Sequence, residues 1–329
     1  MTGSTDNNLP LISIGVPNYN GASFITETLE SIKAQEYSNL EVIIVDDAST
    51  DNSVQLVEEW IVKNKVENFR IIQNNVNKGP CQACDTFFRY CNGVFFQYVG
   101  SDDILKADKI TKQLNFLNTL GDDYAFVYSD TNLIDETGKV IGESYLEKIN
   151  YTRDLMPSGD IFIELMRFNF IQSCTPLIRT SAARAVGGFN TKFWLEDYDL
   201  WLRLARKYKV GYLPEVLASY RRHSNSITNS KHTWARTIDE ALHMRLQYYN
   251  ELGMVAKEQL KERIKYDAIA LYSFDYKSSK FWLRKSLRLQ LSLKVLAMYF
   301  LCSVGIKYAL ISKLKVFFIK NVKIKRLIP

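Results

Sequence analysis

Of the adjacent acidic pairs in the chain, three stand where chemistry is expected: Asp46–Asp47 in "IIVDDASTD", Asp102–Asp103 in "YVGSDDI" and Glu196–Asp197 in "FWLEDYDLW". Neighbouring carboxylates repel unless something positive, or a set of hydrogen-bond donors, stands beside them. Three kinds of chemistry suit such pairs: holding a cation, accepting the N–H of a nucleobase imide, and deprotonating a hydroxyl from the start of a helix. In the third pair, adjacency itself would raise one of the two pKa values and strengthen that base. Tyr19, in "VPNYN", offers a ring that could stack on a base, an interaction of about 1–3 kcal/mol in base-binding proteins. Plainer roles compete at every position. Asp102 or Asp103 could cap a helix expected near Lys106, and Ser49, Thr50 or Asp51 could cap another. Tyr19 and Trp194 could be packing residues, Lys78 a solvated loop lysine.

The elements that must position these residues follow from hydrophobic patterning. "LISIGV" (11–16), "LEVIIV" (40–45), "FRII" (69–72), "GVFFQYV" (93–99) and "YAFVYSD" (124–130) are apolar runs of strand length, separated by helical periodicities, the first capped by Ser23. Continuously apolar strands alternating with helices predict an α/β fold with a parallel sheet covered on both faces. Ligands in such sheets bind at the carboxyl ends of strands. There stand "PNYN", "DDAST", "NNVNKG" and "SDD". Pro17 ends the first strand because it lacks an N–H for the ladder, and Gly79 permits close backbone approach. Beyond residue 130 the pattern predicts a hairpin turning at Gly138, a helix over 158–168, a strand at "TPLIRT", and an amphipathic helix entered through Glu196 and Asp197. Helical periodicity then runs from His232 to Tyr276.

Composition excludes several classes. The chain has 329 residues, of which 24% are charged, and its net charge of +6 is uneven. From Lys277 onward there are thirteen Lys and Arg and no acid, leaving 29 basic against 36 acidic residues before it. An acidic body argues against nucleic-acid binding. Five cysteines lack disulfide-framework spacing, Cys81 and Cys84 have no second ligand pair for zinc, and the first ten residues carry no leader pattern. A cytoplasmic protein is expected. The loop "PNYNGASF" is neither a dinucleotide fingerprint nor the glycine-rich, basic loop of a nucleotidylyltransferase.

The segments "ISIGVPNYN", "LEVIIVDDASTDNS", "NNVNKG", "YVGSDDI" and "FWLEDYDLWLRLA" resemble, in order and rough spacing, those of family-two inverting glycosyltransferases, over roughly residues 10–225. The resemblance implies a GT-A (Rossmann-like) fold, with a mixed, mainly parallel sheet flanked by helices. It implies a single-addition enzyme using a nucleotide-sugar donor, most simply UDP-linked, since the Gln-x-x-Arg-Trp motif of processive synthases is missing. Carried onto this chain, it places Pro17, Tyr19 and Asp47 at the base, Lys78 and Gly79 at the base or phosphates, and Asp102 near the ribose, with a water-mediated contact to the metal as a further reading. Asp103 would hold a divalent metal, Mn²⁺ or Mg²⁺, with His223 of "YRRHSNSIT" as an additional ligand and Arg221 or Arg222 beside the phosphates. Asp197 would be the catalytic base, and Glu196 and Trp194 would bind a saccharide acceptor. A non-catalytic nucleotide-sugar-binding scaffold is the alternative, and it could dispense with Asp197.

The expected division is a catalytic domain over 1–228 and a helical C-terminal extension over 229–329. Within the extension, residues 289–320 are basic, amphipathic and acid-free, with no uncharged run long enough to span a bilayer. They read as an in-plane helix pair on the anionic inner face of a membrane, which would suit a lipid-linked acceptor. Packing on the catalytic domain or a homodimer interface are the other readings of the same pattern.

Overall fold

The computed structural model describes residues 9–224, 226 and 230–310, and the chain divides into two compact units, 1–224 and 225–329. The division falls at 224/225, against 228/229 expected from the sequence.

The first unit is built on one nine-stranded sheet. Strands β1 (Ile12–Asn18), β2 (Leu40–Asp46), β3 (Phe69–Gln73) and β4 (Phe95–Tyr98) are parallel, in the order β3-β2-β1-β4, and are linked by helices α1 (Ile25–Lys33), α2 (Ser53–Asn64) and α3 (Pro80–Tyr90). The apolar runs form strands because helices cover them on both faces; Val42, Ile43, Ile44 and Val45 are all fully buried. α3 lies so close that a Cβ added at Gly15 would stand 2.5 Å from the Phe87 ring, which only glycine allows. The chain leaves β1 toward β2 and β3, then returns to place β4 on the other side of β1. The crevice beyond the carboxyl ends of β1 and β4 is therefore the topological switch point.

Beyond β4 the sheet becomes mixed. β5 (Ile104–Leu105) is followed by α4 (Lys109–Thr119), and the long β6 (Tyr124–Ile134) pairs antiparallel with β7 (Val140–Gly142) through a turn where Gly138 takes φ +83°. α5 (Tyr145–Lys148) and α6 (Phe162–Arg167) lead to β8 (Leu177–Arg179), which joins β4 to β6 antiparallel to both. α7 (Thr180–Ala185) and α8 (Glu196–Lys207) precede β9 (Lys209–Arg221), parallel to β6 and antiparallel to β5. This is the mixed α/β architecture expected, with the parallel pairs supplying most of the ladder.

Four local expectations change. β1 runs past Pro17 to Asn18, with Pro17 opposite Val45, so the proline does not end the strand. The helix expected near Lys106 starts at Lys109, because the chain first forms β5 against β9; Asp102 and Asp103 therefore cap nothing. Ser23 is not a cap either. Phe24 occupies that position, and the Gly21 carbonyl accepts the Ile25 N–H at 2.9 Å. The helix expected over 158–168 shortens to α6.

The second unit is helical: α9 (Lys231–Gln247), α10 (Met254–Ser273), α11 (Ser279–Leu289) and α12 (Leu293–Ser303). Its interior is fixed by polar anchors as well as apolar contact. The fully buried Trp282 donates its indole N–H to Asp239 at 2.5 Å, and Arg245 pairs with Asp267 at 3.2 Å, both nearly buried. Among the described residues no helix is long and apolar enough to cross a membrane. The part of the expected tail beyond residue 310 lies outside the described residues.

Candidate active site

The switch-point crevice gathers the loops the sequence singled out. A Cβ added at Gly21 would meet the Asn18 side-chain oxygen at 2.2 Å and the Ser101 hydroxyl at 2.7 Å, so the turn after β1 presses on the "SDD" turn after β4. Tyr19, at that turn, is 49% exposed, with Pro17 half-buried behind it. The ring is not a packed turn tyrosine.

Asp46 and Asp47 are both buried and work on different loops. Asp46 accepts hydrogen bonds from Asn18 Nδ2 (2.8 Å), the Ser49 N–H (2.9 Å) and the Ser49 hydroxyl, tying β1 to the turn after β2. Asp47 accepts from Asn74 Nδ2 (2.8 Å) and the backbone N–H groups of Lys78 (3.0 Å) and Gly79 (2.7 Å). Its carboxylate, expected at a base, thus holds the loop after β3 in shape. Lys78 is exposed on that loop. Gly79 takes φ +92°, and a Cβ there would stand 3.0 Å from Trp194 Cδ1. The loop anchored by Asp47 therefore meets the segment that leads into α8.

The "SDD" turn separates its two acids. Asp103 is 2% exposed and turned inward; its Oδ1 accepts the Arg221 N–H at 2.9 Å, and its carbonyl accepts the Thr28 hydroxyl at 2.8 Å. Burial first, and the charge of Asp102 second, hold its carboxyl well above the usual range. Asp102 keeps a partly exposed side chain, and its Oδ2 stands 3.0 Å from His223 Nε2. The expectation places Asp103 on the metal and Asp102 near the ribose, with a water-mediated metal contact as its further reading. The carboxylate that faces His223 is Asp102, because β5 pairing turns the next residue into the sheet.

Arg221, considered beside phosphate, is withdrawn from it. The residue is 1% exposed; its guanidinium donates to the carbonyls of Asp102 (2.8 Å) and Asp135 (3.1 Å), pairs with Glu27 at 2.5 Å and lies over the Phe24 ring. The same Phe24 ring packs at 4.6 Å against His223. One buried cation thus ties the "SDD" turn, the β6–β7 hairpin and α1 together, and the Phe24 ring lies against both Arg221 and His223.

Asp197 lies in the first turn of α8, where the free backbone N–H groups and the helix dipole favour negative charge. Its carboxylate accepts from Asn169 Nδ2 at 3.3 Å and from the Tyr198 N–H, yet burial outweighs both and pushes it up to about 6. Glu196 and Trp194 precede it, both half-buried. Asp199 pairs with Arg203, which also donates to the carbonyls of Val186 and Gly188 and so ties the entering loop to the helix. Sequence reasoning missed Asn18, Asn74, Asn169 and the buried role of Arg221. The asparagines of "PNYN" and "NNVNKG" lie inside the quoted motifs; Asn169 lies in an irregular segment with no periodic signal.

The family described as glycosyl transferase family 2 matches residues 13–177, half of the chain. An uncharacterized glycosyltransferase of Rickettsia typhi is 30% identical over 224 residues, 67% of each chain. The chain belongs to glycosyl transferase family 2. Among other family relatives, the putative teichuronic acid biosynthesis glycosyltransferase TuaG of Bacillus subtilis is 28% identical over 68% of this chain and 83% of its own. The chain spans 30 to 35% of the length of three longer rickettsial relatives. In fold it is similar to TarS 1–349 of S. aureus in complex with UDP-GlcNAc (TM-score 0.58, 17% identity, 91% and 93% of the chains). It is also similar to the mannosyltransferase PcManGT of Pyrobaculum calidifontis with GDP-Man and Mn²⁺ (TM-score 0.59, 18% identity, 92% and 81%). The fold is that of the GT-A glycosyltransferases.

Proposed function

We propose that this glycosyltransferase moves one sugar from a nucleotide-sugar, most simply UDP-linked, to a saccharide acceptor, inverting the anomeric carbon, in the assembly of a polysaccharide. The observation that carries this reading is the place of Asp197 in the first turn of α8, next to Glu196, where burial pushes its carboxyl up to about 6. A base near the working pH is matched to removing a hydroxyl proton, and a purely nucleotide-binding scaffold has no use for one. In the reaction the acceptor hydroxyl gives its proton to Asp197 as its oxygen bonds the anomeric carbon. The bond from that carbon to the diphosphate oxygen breaks on the opposite face, and its electron pair leaves with the diphosphate.

The other residues divide accordingly. Pro17 and Tyr19 line the base, and Asp47 serves the base and phosphates through the loop it holds, with Lys78 exposed upon it. Trp194 and Glu196 bind the acceptor. We assign the metal to Asp102 and His223 and give Asp103 a supporting role, because only the first acid faces the imidazole. One carboxylate oxygen and one imidazole nitrogen suit Mn²⁺, and Mg²⁺ if water and phosphate oxygens complete its shell. When bound, the ion neutralises charge on the departing diphosphate. The names of TuaG, TarS and PcManGT support the polysaccharide, nucleotide-sugar and Mn²⁺ elements of this reading.

Incubation with a panel of nucleotide-sugars and Mn²⁺, followed by assay of released nucleoside diphosphate, tests it. Release with one or two donors, abolished by EDTA, is expected. Metal-independent release, or none with any donor and acceptor, would overturn it.

A further inference from the structure

The second unit presents two outward helix faces of different chemistry. On α12, Val295 and Met298 turn inward, while Leu293 (81% exposed), Leu296, Phe300 (64%) and Val304 point out. Their spacing of three, four and four residues puts them on one stripe. The stripe is apolar, yet no described residue covers it. On α11, Trp282, Leu283 and Ser286 are buried, and Lys280, Arg284 and Arg288 form the exposed stripe, continued by Lys277 before the helix. Leu291, 78% exposed, lies in the short link between the two helices. The last acid of the sequence is Asp275, so no carboxylate neutralises this cationic face from later in the chain.

We infer that α11 and α12 form a docking surface for an anionic lipid bilayer. An apolar stripe suits the acyl boundary, and the cationic stripe of the preceding helix suits the headgroups. Charge decides among occupants. A second copy of this chain would bring the same cations to the contact and meet repulsion, whereas an anionic leaflet complements them. A span through the membrane is ruled out for α12 by its eleven residues, Leu293–Ser303. The contact does not depend on the proposed reaction: a protein that bound vesicles but transferred no sugar would leave this inference standing.

The test is co-sedimentation of the full chain with phosphatidylglycerol–phosphatidylcholine vesicles and with phosphatidylcholine vesicles. Binding is expected to the anionic vesicles and to fall steeply with salt. The triple variant Leu293→Ser, Leu296→Ser, Phe300→Ser, and separately Lys280→Gln, Arg284→Gln, Arg288→Gln, should each weaken it by about tenfold or more. All six positions lie on the exposed stripes, and an unchanged far-UV circular dichroism spectrum certifies the fold. Equal binding to both vesicle types, or none, would overturn the inference. So would full binding by both triple variants, which would move the contact to residues after 310. Self-association lost in the leucine–phenylalanine variant, without vesicle binding, would assign the apolar stripe to a second copy instead.

Discussion

The imidazole Nε2 of His223 stands 3.0 Å from Oδ2 of Asp102, although 121 residues separate the two in the chain. Their meeting depends on β9, whose end pairs with β5 directly after the "SDD" turn. The carboxylate on the other side of that turn is buried against the Arg221 backbone. Two adjacent acids thus face opposite ways, one toward the imidazole and one into the fold.

That separation gives the first prediction. Asp102→Ala and His223→Ala should each raise the Mn²⁺ concentration needed for half-maximal activity by about tenfold or more, each removing one of the two groups proposed to hold the ion. Asp103→Asn keeps an oxygen that can accept the Arg221 N–H, and should stay within about threefold of the parent. Metal titration of the three variants decides; the opposite ranking would return the metal to Asp103.

Asp197→Asn should reduce transfer by about 10²–10⁴-fold while donor affinity, measured calorimetrically, is retained. The parent's rate should rise with pH through about 6, as the base loses its proton, and the variant should lack that limb.

The same residue makes a stability prediction of opposite sign. Its carboxyl is raised from 3.8 to about 6 in the folded chain, so ionisation opposes folding. Its favourable contribution is complete below the unfolded value and is lost as pH rises through the folded one. At neutral pH, Asp197→Asn should therefore be the more stable protein, by up to about 2 kcal/mol in urea denaturation. Equal or lower stability would mean that burial does not dominate at this carboxylate.

Arg221→Met should destabilise the first unit by on the order of 1–2 kcal/mol, since it leaves the part-buried carbonyls of Asp102 and Asp135 without their donor. Glu27→Gln removes only a half-exposed partner and should cost under about 1 kcal/mol. Chemical denaturation of both measures the difference.

Gly79→Ala tests the meeting of two loops. A positive φ and a Cβ 3.0 Å from Trp194 together should cost about 1–2 kcal/mol. Trp194→Ala in the same chain should restore only the steric part, leaving the backbone strain, when both variants are unfolded in urea.

Much of the framework was readable in advance. Apolar runs of strand length such as "LEVIIV", bounded by turn residues and alternating with helical periods, read as buried strands, and the polar turns that follow must lie at one sheet edge when the strands are parallel. What could not be read is which member of an acid pair faces out. At the end of a strand one residue of rotation exchanges inside for outside, and at Asp102–Asp103 that rotation is set by a strand more than a hundred residues away. The same limit hid Arg221, whose neighbours come from α1, the β4 turn and the β6–β7 hairpin. Lys109 is a further case: it opens α4 on an amphipathic pattern but is fully buried, donating to Gln97 and Gln113, and burial lowers it to about 7.

The loop after β3 is held by Asp47 through backbone N–H groups at Lys78 and Gly79. Main-chain N–H groups are present whatever side chains stand above them, proline excepted. Residues 75, 76 and 78 can therefore be exchanged, by drift or by design, while the loop keeps its outline and Gly79 its place under Trp194. On the proposed reading, in which this loop serves the base and phosphates, a lineage could retune its choice of donor at these positions without refolding anything, and a saturation library confined to them tests that by its nucleotide preference.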